Sequence, residues 1–179
     1  MGATVSSRWF RRNAFALVAV AVLVPATAVV IGGNEWWSMF GRDRVFAVTV
    51  DQDAPVDFGG ASYGPATASV VPAGDTRDLP DGTKVVTVEV PVRTGEGPAT
   101  CGSPMLRELS GAGRQWDAAG GLSGIPYDER PASCAPDRTG AYTVVVPFLV
   151  PDDVSGPLGL DLTIVHELPR FLRLVVDVP

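Results

Sequence analysis

Few side chains in this 179-residue sequence are equipped for chemistry: two cysteines, one histidine and twenty acids. Cys101 and Cys134 stand 33 positions apart with no further Cys and no neighbouring His, so a four-ligand zinc set is not on offer. An even pair outside a reducing compartment forms a disulfide. Closing a loop of that length contributes about 3.7 kcal/mol on the chain-entropy estimate. His166, in Thr163-Ile164-Val165-His166-Glu167, lies near the end of an apolar run and reads as a structural histidine. Ser103, Ser110 and Ser123 stand in no nucleophile context such as Gly-x-Ser-x-Gly, and nucleophilic catalysis needs a base held by an acid beside the nucleophile. Two acidic groups, Asp51, Asp53, Asp57 and Asp75, Asp78, Asp81, miss the spacing of a calcium loop and suit turns. The residues therefore predict no catalytic centre, no metal and no cofactor. The rival reading is an extracytoplasmic enzyme acting on cell-wall material through acids such as Glu89 or Asp128.

The stretch enclosed by the cysteines is the least regular part of the chain, with Gly111, Gly113, Gly120, Gly121 and Gly124 around Arg114, Trp116 and Tyr127. A stapled, glycine-rich excursion of this kind can present an arginine and two aromatics to a partner, which makes Arg114, Trp116 and Tyr127 a candidate partner-binding loop. The competing role for Trp116 is an ordinary core aromatic beside the bridge.

These side chains must be positioned by two very different regions. Residues 1–31 hold three Arg and no acid, while the rest holds 11 basic and 20 acidic residues, so a head of +3 precedes a body of −9. Residues 14–31 carry no charge, with Thr27 the one polar side chain. As a helix they reach about 27 Å, close to the roughly 30 Å hydrocarbon layer of a bilayer. Arg8, Arg11 and Arg12 favour a cytoplasmic N-terminus, while Arg42 and Arg44 beyond the segment weaken that bias. Trp9 and Phe10 on one side and Trp36, Trp37 and Phe40 on the other suit the two membrane interfaces. A signal peptide cleaved near Ala28, after Pro25 and the small residues Ala26-Thr27-Ala28, fits locally and would release the body. The apolar run continues through Val29, Val30 and Ile31, which favours a retained anchor with the N-terminus inside. The division expected is a basic N-terminus (1–13), a transmembrane signal-anchor (14–31), a juxtamembrane hinge (32–43) and an extracytoplasmic domain (44–179).

The body is patterned with period two. In residues 84–92, Val86, Val88, Val90 and Val92 share one face while Thr87 and Glu89 share the other. Residues 44–50, 68–71, 141–150, 160–166 and 171–176 also read as strands, separated by turn clusters at 51–55, 72–83, 95–98 and 151–159. Pro91 and Pro147 lack the donor a ladder needs, so their strands should be edges or carry bulges. Twenty Gly and sixteen Pro mark turns rather than long helices. About 136 residues suffice to bury close to 70% of the unfolded surface. Six or more strands at this spacing predict an all-β, antiparallel sandwich behind one N-terminal transmembrane helix.

Residues 84–92, the cysteine-containing middle, residues 140–154 ending in Val150-Pro151-Asp152-Asp153-Val154, and the alternating run 159–164 together resemble the bacterial telokin-like, immunoprotective-extracellular-type domains. The resemblance spans residues 45–176. It implies an immunoglobulin-like sandwich on an exported, anchored protein and brings no catalytic residue with it. The function expected is a non-catalytic, membrane-anchored module of the bacterial cell envelope that binds or supports. Its partners would be the lipid bilayer and another envelope protein or polymer, or it would serve as an accessory subunit of a membrane complex. An acidic body offers no footprint for nucleic acid.

Overall fold

The computed structural model describes residues 7–40, 43–51, 53–72, 79–95, 97, 99–120, 130–134 and 137–178. The chain divides into two units, Met1–Asp43 and Arg44–Pro179.

The first unit is helix α1, Ser7–Phe40. Within Trp9–Trp36 its most apolar eighteen residues have a mean hydropathy of 2.7, and none of them is buried against protein. This helix exposes Phe15, Leu23, Val29 and Val30 and is long and apolar enough to cross a membrane. From Trp9 to Trp36 is about 40 Å at the α-helical rise, matching a bilayer with its headgroup layers. Pro25 lies inside the helix, and Thr27 Oγ1 donates to the Leu23 carbonyl at 2.7 Å. Back-bonding of this kind is how a spanning helix accommodates a proline. The helix runs through residues 32–40, past the boundary expected at Ile31, so the segment expected as a hinge is largely helical. Gly32 and Gly33, helix-weakening in water, are carried by it.

The second unit is built from ten strands: β1 Phe46–Val50, β2 Val56–Phe58, β3 Ala61–Tyr63, β4 Thr67–Pro72, β5 Thr83–Thr94, β6 Met105–Glu108, β7 Gln115–Asp117, β8 Ala141–Pro151, β9 Gly156–Leu162 and β10 Arg170–Val178. One sheet has the order β1-β10-β9-β6-β7, and the other has β2-β3-β5-β4 with β8 on β5. All ladders are antiparallel except β1 on β10. Alternation does what period two requires. Val86, Val88, Val90 and Val92 of β5 meet Val146 and Phe148 of β8, Leu106 of β6, Leu160 of β9 and Leu172 of β10 in one core.

β5 is a central strand, not the edge expected from Pro91. β8 pairs along its whole length, from Thr83↔Pro151 to Arg93↔Ala141. The other side is divided between β4, opposite Lys84 to Glu89, and β3, opposite Val92 to Thr94. Pro91 falls in the gap between those two neighbours, and its carbonyl accepts from Gly64 N–H at 2.9 Å. N–H and C=O of one strand residue point the same way, so the missing donor faces the gap and no ladder bond is lost. Pro147 lies on the free side of β8, where its carbonyl accepts from Ala119 N–H at 2.8 Å.

The run expected as a strand over 160–166 is replaced by β9, which starts earlier, and by a 3₁₀ turn, Val165–Glu167. The chain must reverse there so that β10 can pair with β9. His166 is exposed in that turn, with Nε2 3.2 Å from the Gly59 carbonyl. Gly59 and Gly60, both at positive φ (55° and 83°), make the two-residue reversal of the β2–β3 hairpin, a conformation that suits glycine.

Register sorts the loops into two ends. At the base, where the chain arrives from residue 43, lie the start of β1, the Val165–Glu167 turn and the β2–β3 turn. At the tip lie the reversal between β6 and β7 and the turn before β9.

The disulfide is present: Cys101 and Cys134 are bonded, with Cα atoms 5.0 Å apart and both residues buried. Cys101 lies on the connection that leaves β5 for the other sheet, and Cys134 on the connection that returns to β8. The bond therefore pins both crossings between the sheets. Tyr63 and Tyr142 flank Val92 in one cross-strand row, and their buried hydroxyls have no hydrogen-bond partner among the described residues. Burial, with Tyr142 adding to it, pushes the Tyr63 phenol up to about 12.

Replacing both cysteines by serine should lower unfolding free energy by about 3.7 kcal/mol, read as a shift in the denaturant midpoint. An unchanged midpoint would show that the bridge does not constrain the crossings. Tyr63→Phe, which removes an unsatisfied buried hydroxyl, should raise stability by about 1 kcal/mol. A loss of that size would mean the hydroxyl has a partner in solution.

Candidate binding surface

Arg114 and Trp116 sit on the β6–β7 hairpin, at its tip and on its second strand. Glu108 and Arg114 close the hairpin through Glu108 N–H to the Arg114 carbonyl at 2.9 Å. Gly111 and Gly113 lie between them at positive φ (74° and 65°). A Cβ on Gly111 would come 3.3 Å from Glu108 Oε1, so this glycine also makes room for the carboxylate. Leu106 and Trp116 are partners in the β6–β7 ladder, and Leu106 is a core residue, which turns Glu108, two positions on, toward the interior.

A carboxylate in that position needs charge-assisted donors. Arg114 supplies them as a fork, with Nε to Oε2 at 3.2 Å and Nη2 to Oε1 at 3.1 Å, and its backbone N–H adds 3.3 Å to Oε2. Nη1 donates to both oxygens of Asp153 at 3.1 Å, and the guanidinium lies 5.7 Å from the centroid of the Trp116 ring. The Arg114 hydrogen bond holds the Glu108 carboxyl below the ordinary carboxylate range, although burial acts the other way. The same bond raises Arg114, helped by Asp153. Arg114 is thus committed to locking the hairpin to the turn before β9. Trp116 is half-buried against the core, and Tyr127 and Asp128 lie outside the described residues.

The other expected positions are scattered. Arg11 and Arg12 are exposed on α1, and Trp36 is 65% exposed; the side chains of Arg8 and Trp37 lie outside those described. Glu89 receives both terminal nitrogens of Arg130, at 3.0 and 3.1 Å. Asp75 and Asp78 lie outside the described residues, and among the described residues no group of three or more His, Cys, Asp or Glu converges as a metal site.

Comparison with known proteins adds no identity. No family model, curated protein or solved structure matches the chain. Function must then be read from surfaces alone.

Two features escaped the sequence reading. Asp161, 2% exposed on β9, accepts from Arg173 Nε at 2.6 Å and Nη2 at 2.8 Å, with Arg107 Nε at 3.5 Å. The cross-strand pair Arg173↔Asp161 gave no signal before strand register was known. The second is a pair of adjoining concavities on the β2–β3–β5 side. One, of about 490 Å³, is lined by Pro55, Ser62, Pro91, Arg93 and Thr143. Its neighbour, of about 470 Å³, is lined by Asp57, Gly60, Ser62, Arg93 and Thr94. Ser62 and the exposed Arg93 belong to both. Both are open to solvent, and an arginine beside the Ser62 hydroxyl can meet a carboxylate or phosphate group. The sequence hint was only a charged residue at the polar end of a β-branched run.

Because the folded state lowers the Glu108 pKa, the unfolded state takes up the proton first on acidification. The stabilisation is complete above the ordinary glutamate range and is lost as pH falls through the lower, folded value. Wild-type melting temperature should therefore drop on acidification, and Glu108→Gln should flatten the part of that drop due to this pair. Arg114→Ala should destabilise the chain at neutral pH, with Glu108→Gln in the same chain recovering part of the loss. Parallel pH profiles for wild type and Glu108→Gln would refute the assignment.

Proposed function

We propose that this chain is a non-catalytic, membrane-anchored module of the bacterial cell envelope. Its immunoglobulin-like sandwich is held outside the cytoplasm and binds or supports another envelope protein or polymer. The observation that carries the reading is α1: a helix about 40 Å long between Trp9 and Trp36, uncharged from Ala14 to Ile31 and unburied there, joined to a separate β unit closed by a disulfide. An unburied apolar helix supports an anchor, and a stable disulfide supports an oxidising compartment. Two sheets sharing one core, with residues 84–92 and 141–150 paired at its centre, support the sandwich. The concavities around Arg93 are the surface best suited to an anionic group on the partner.

Membranes bearing the full chain should retain it through alkaline extraction. The β unit should be open to external protease, and the Cys101–Cys134 bond should be visible as a mobility change on reduction. Release by alkali, or protection of the β unit until the membrane is permeabilised from the other side, would overturn the topology. Mild crosslinking in the native envelope should capture a partner, and Arg93→Ala should reduce that capture while shifting stability by no more than about 0.5 kcal/mol. Undiminished capture by Arg93→Ala would remove this groove from the binding surface.

A further inference from the structure

Among the described residues of the β unit, four large apolar side chains are well exposed: Val45 at 54%, Phe46 at 61%, Val165 at 59% and Leu109 at 38%. Scattered single cases are ordinary on any soluble surface. Here three of the four share one end. The backbone N–H groups of Val45 and Phe46 both donate to the Pro169 carbonyl, at 3.0 and 3.1 Å, and Phe46 is in register with Arg170 at the start of β10. Val165 opens the 3₁₀ turn that leads into Pro169. All three therefore belong to the base, and Leu109 belongs to the tip.

The base is also where the chain arrives from the membrane segment. Four residues separate Phe40, the last of α1, from Val45. That is a path of at most about 18 Å between the two α-carbons. The exposed apolar residues lie where a bilayer surface is in reach of the chain.

The charge pattern agrees. Although the β unit, residues 44–179, carries 18 acids against 10 bases, its base is not acidic. Arg44, Arg93 and Arg170 stand against Asp57 and Glu167, and Arg170 is paired with Glu167 while remaining 57% exposed. His166 lies beside them, exposed. Of the two ends, this one presents an anionic membrane with no net negative charge from these groups. An aromatic and two branched aliphatics rimmed by arginines is the composition of a shallow interfacial contact.

We propose that the base of the β unit rests on the lipid surface, with Val45, Phe46 and Val165 entering the boundary between headgroups and acyl chains. This rests on the anchor reading above and adds a second, non-spanning contact with the same bilayer. It turns a tethered domain into one with a fixed face toward the membrane.

The test places an environment-sensitive fluorophore on Phe46→Cys, Val165→Cys or, at the other end, Ser155→Cys. Each is introduced into the full chain with the native disulfide intact and reconstituted in phosphatidylcholine–phosphatidylglycerol vesicles. Probes at 46 and 165 should shift to the blue and be quenched by lipids carrying a shallow spin label, while the probe at 155 stays water-like and unquenched. Water-like emission at 46 and 165 in chains that resist alkaline extraction would overturn the contact and leave the anchor standing. A blue shift without quenching would also overturn it, assigning the patch to a protein occupant such as a second copy. Release of the chain by alkali would remove the anchor and this contact together. Conservative labelling at Val45 guards against a variant that fails to fold, with far-ultraviolet circular dichroism as the check.

Discussion

The eleven-pair ladder between β5 and β8 is the interaction on which the rest of the β unit depends. One edge of β5 is filled by a single partner, so the other edge must accommodate both β3 and β4, and the place where one ends and the other begins must dispense with a donor. Pro91 meets that demand, since a residue without an N–H leaves nothing unsatisfied in a gap. The same ladder sets which side chains of β8 face inward. That places Phe148 and Val146 against the leucines of β9 and β10 and makes one core out of two sheets.

Charge is handled by the same register logic. Glu108 and Asp161 are both almost fully buried, and each is met by arginine in fork geometry. Buried ion pairs of this kind add little net stability compared with apolar residues of the same size, yet losing one partner is costly. Their value here is conformational. Glu108 with Arg114 fixes the β6–β7 reversal, and Asp161 with Arg173 and Arg107 ties three neighbouring strands on one face of their sheet. Gly159 makes room for the second cluster, because a Cβ there would approach Arg173 Cγ to 3.1 Å and Leu109 Cδ2 to 3.0 Å.

Legibility in the sequence followed pattern length. β5 shows period two over residues 84–92 and β8 is a long, strongly apolar, valine-rich run, so both were readable as strands, and the apolar helix was readable from its lack of charge. β2, β3, β6 and β7 are three or four residues long, too short for any period to register, and they became visible only as partners of longer neighbours. β9 was misplaced because its apolar alternation continues through Thr163 and Ile164, while the need to reverse toward β10 overrides it. The disulfide was legible from the count of two. The role of Arg114 was not, since nothing in a glycine-rich stretch announces that Glu108, six residues earlier, and Asp153, far along the chain, converge on it. The Arg93 concavities depend on how three strands share an edge, which no local pattern encodes.

The bond between Cys101 and Cys134 also makes the fold sensitive to the redox state of its surroundings. A chain stranded among cellular thiols lacks the covalent ring, and about 3.7 kcal/mol of lost constraint corresponds to several hundred times more unfolded chain at equilibrium. Marginal domains in that position are cleared by proteases. The two crossings pinned by one sulfur–sulfur bond therefore couple the folded population of this chain to its oxidation.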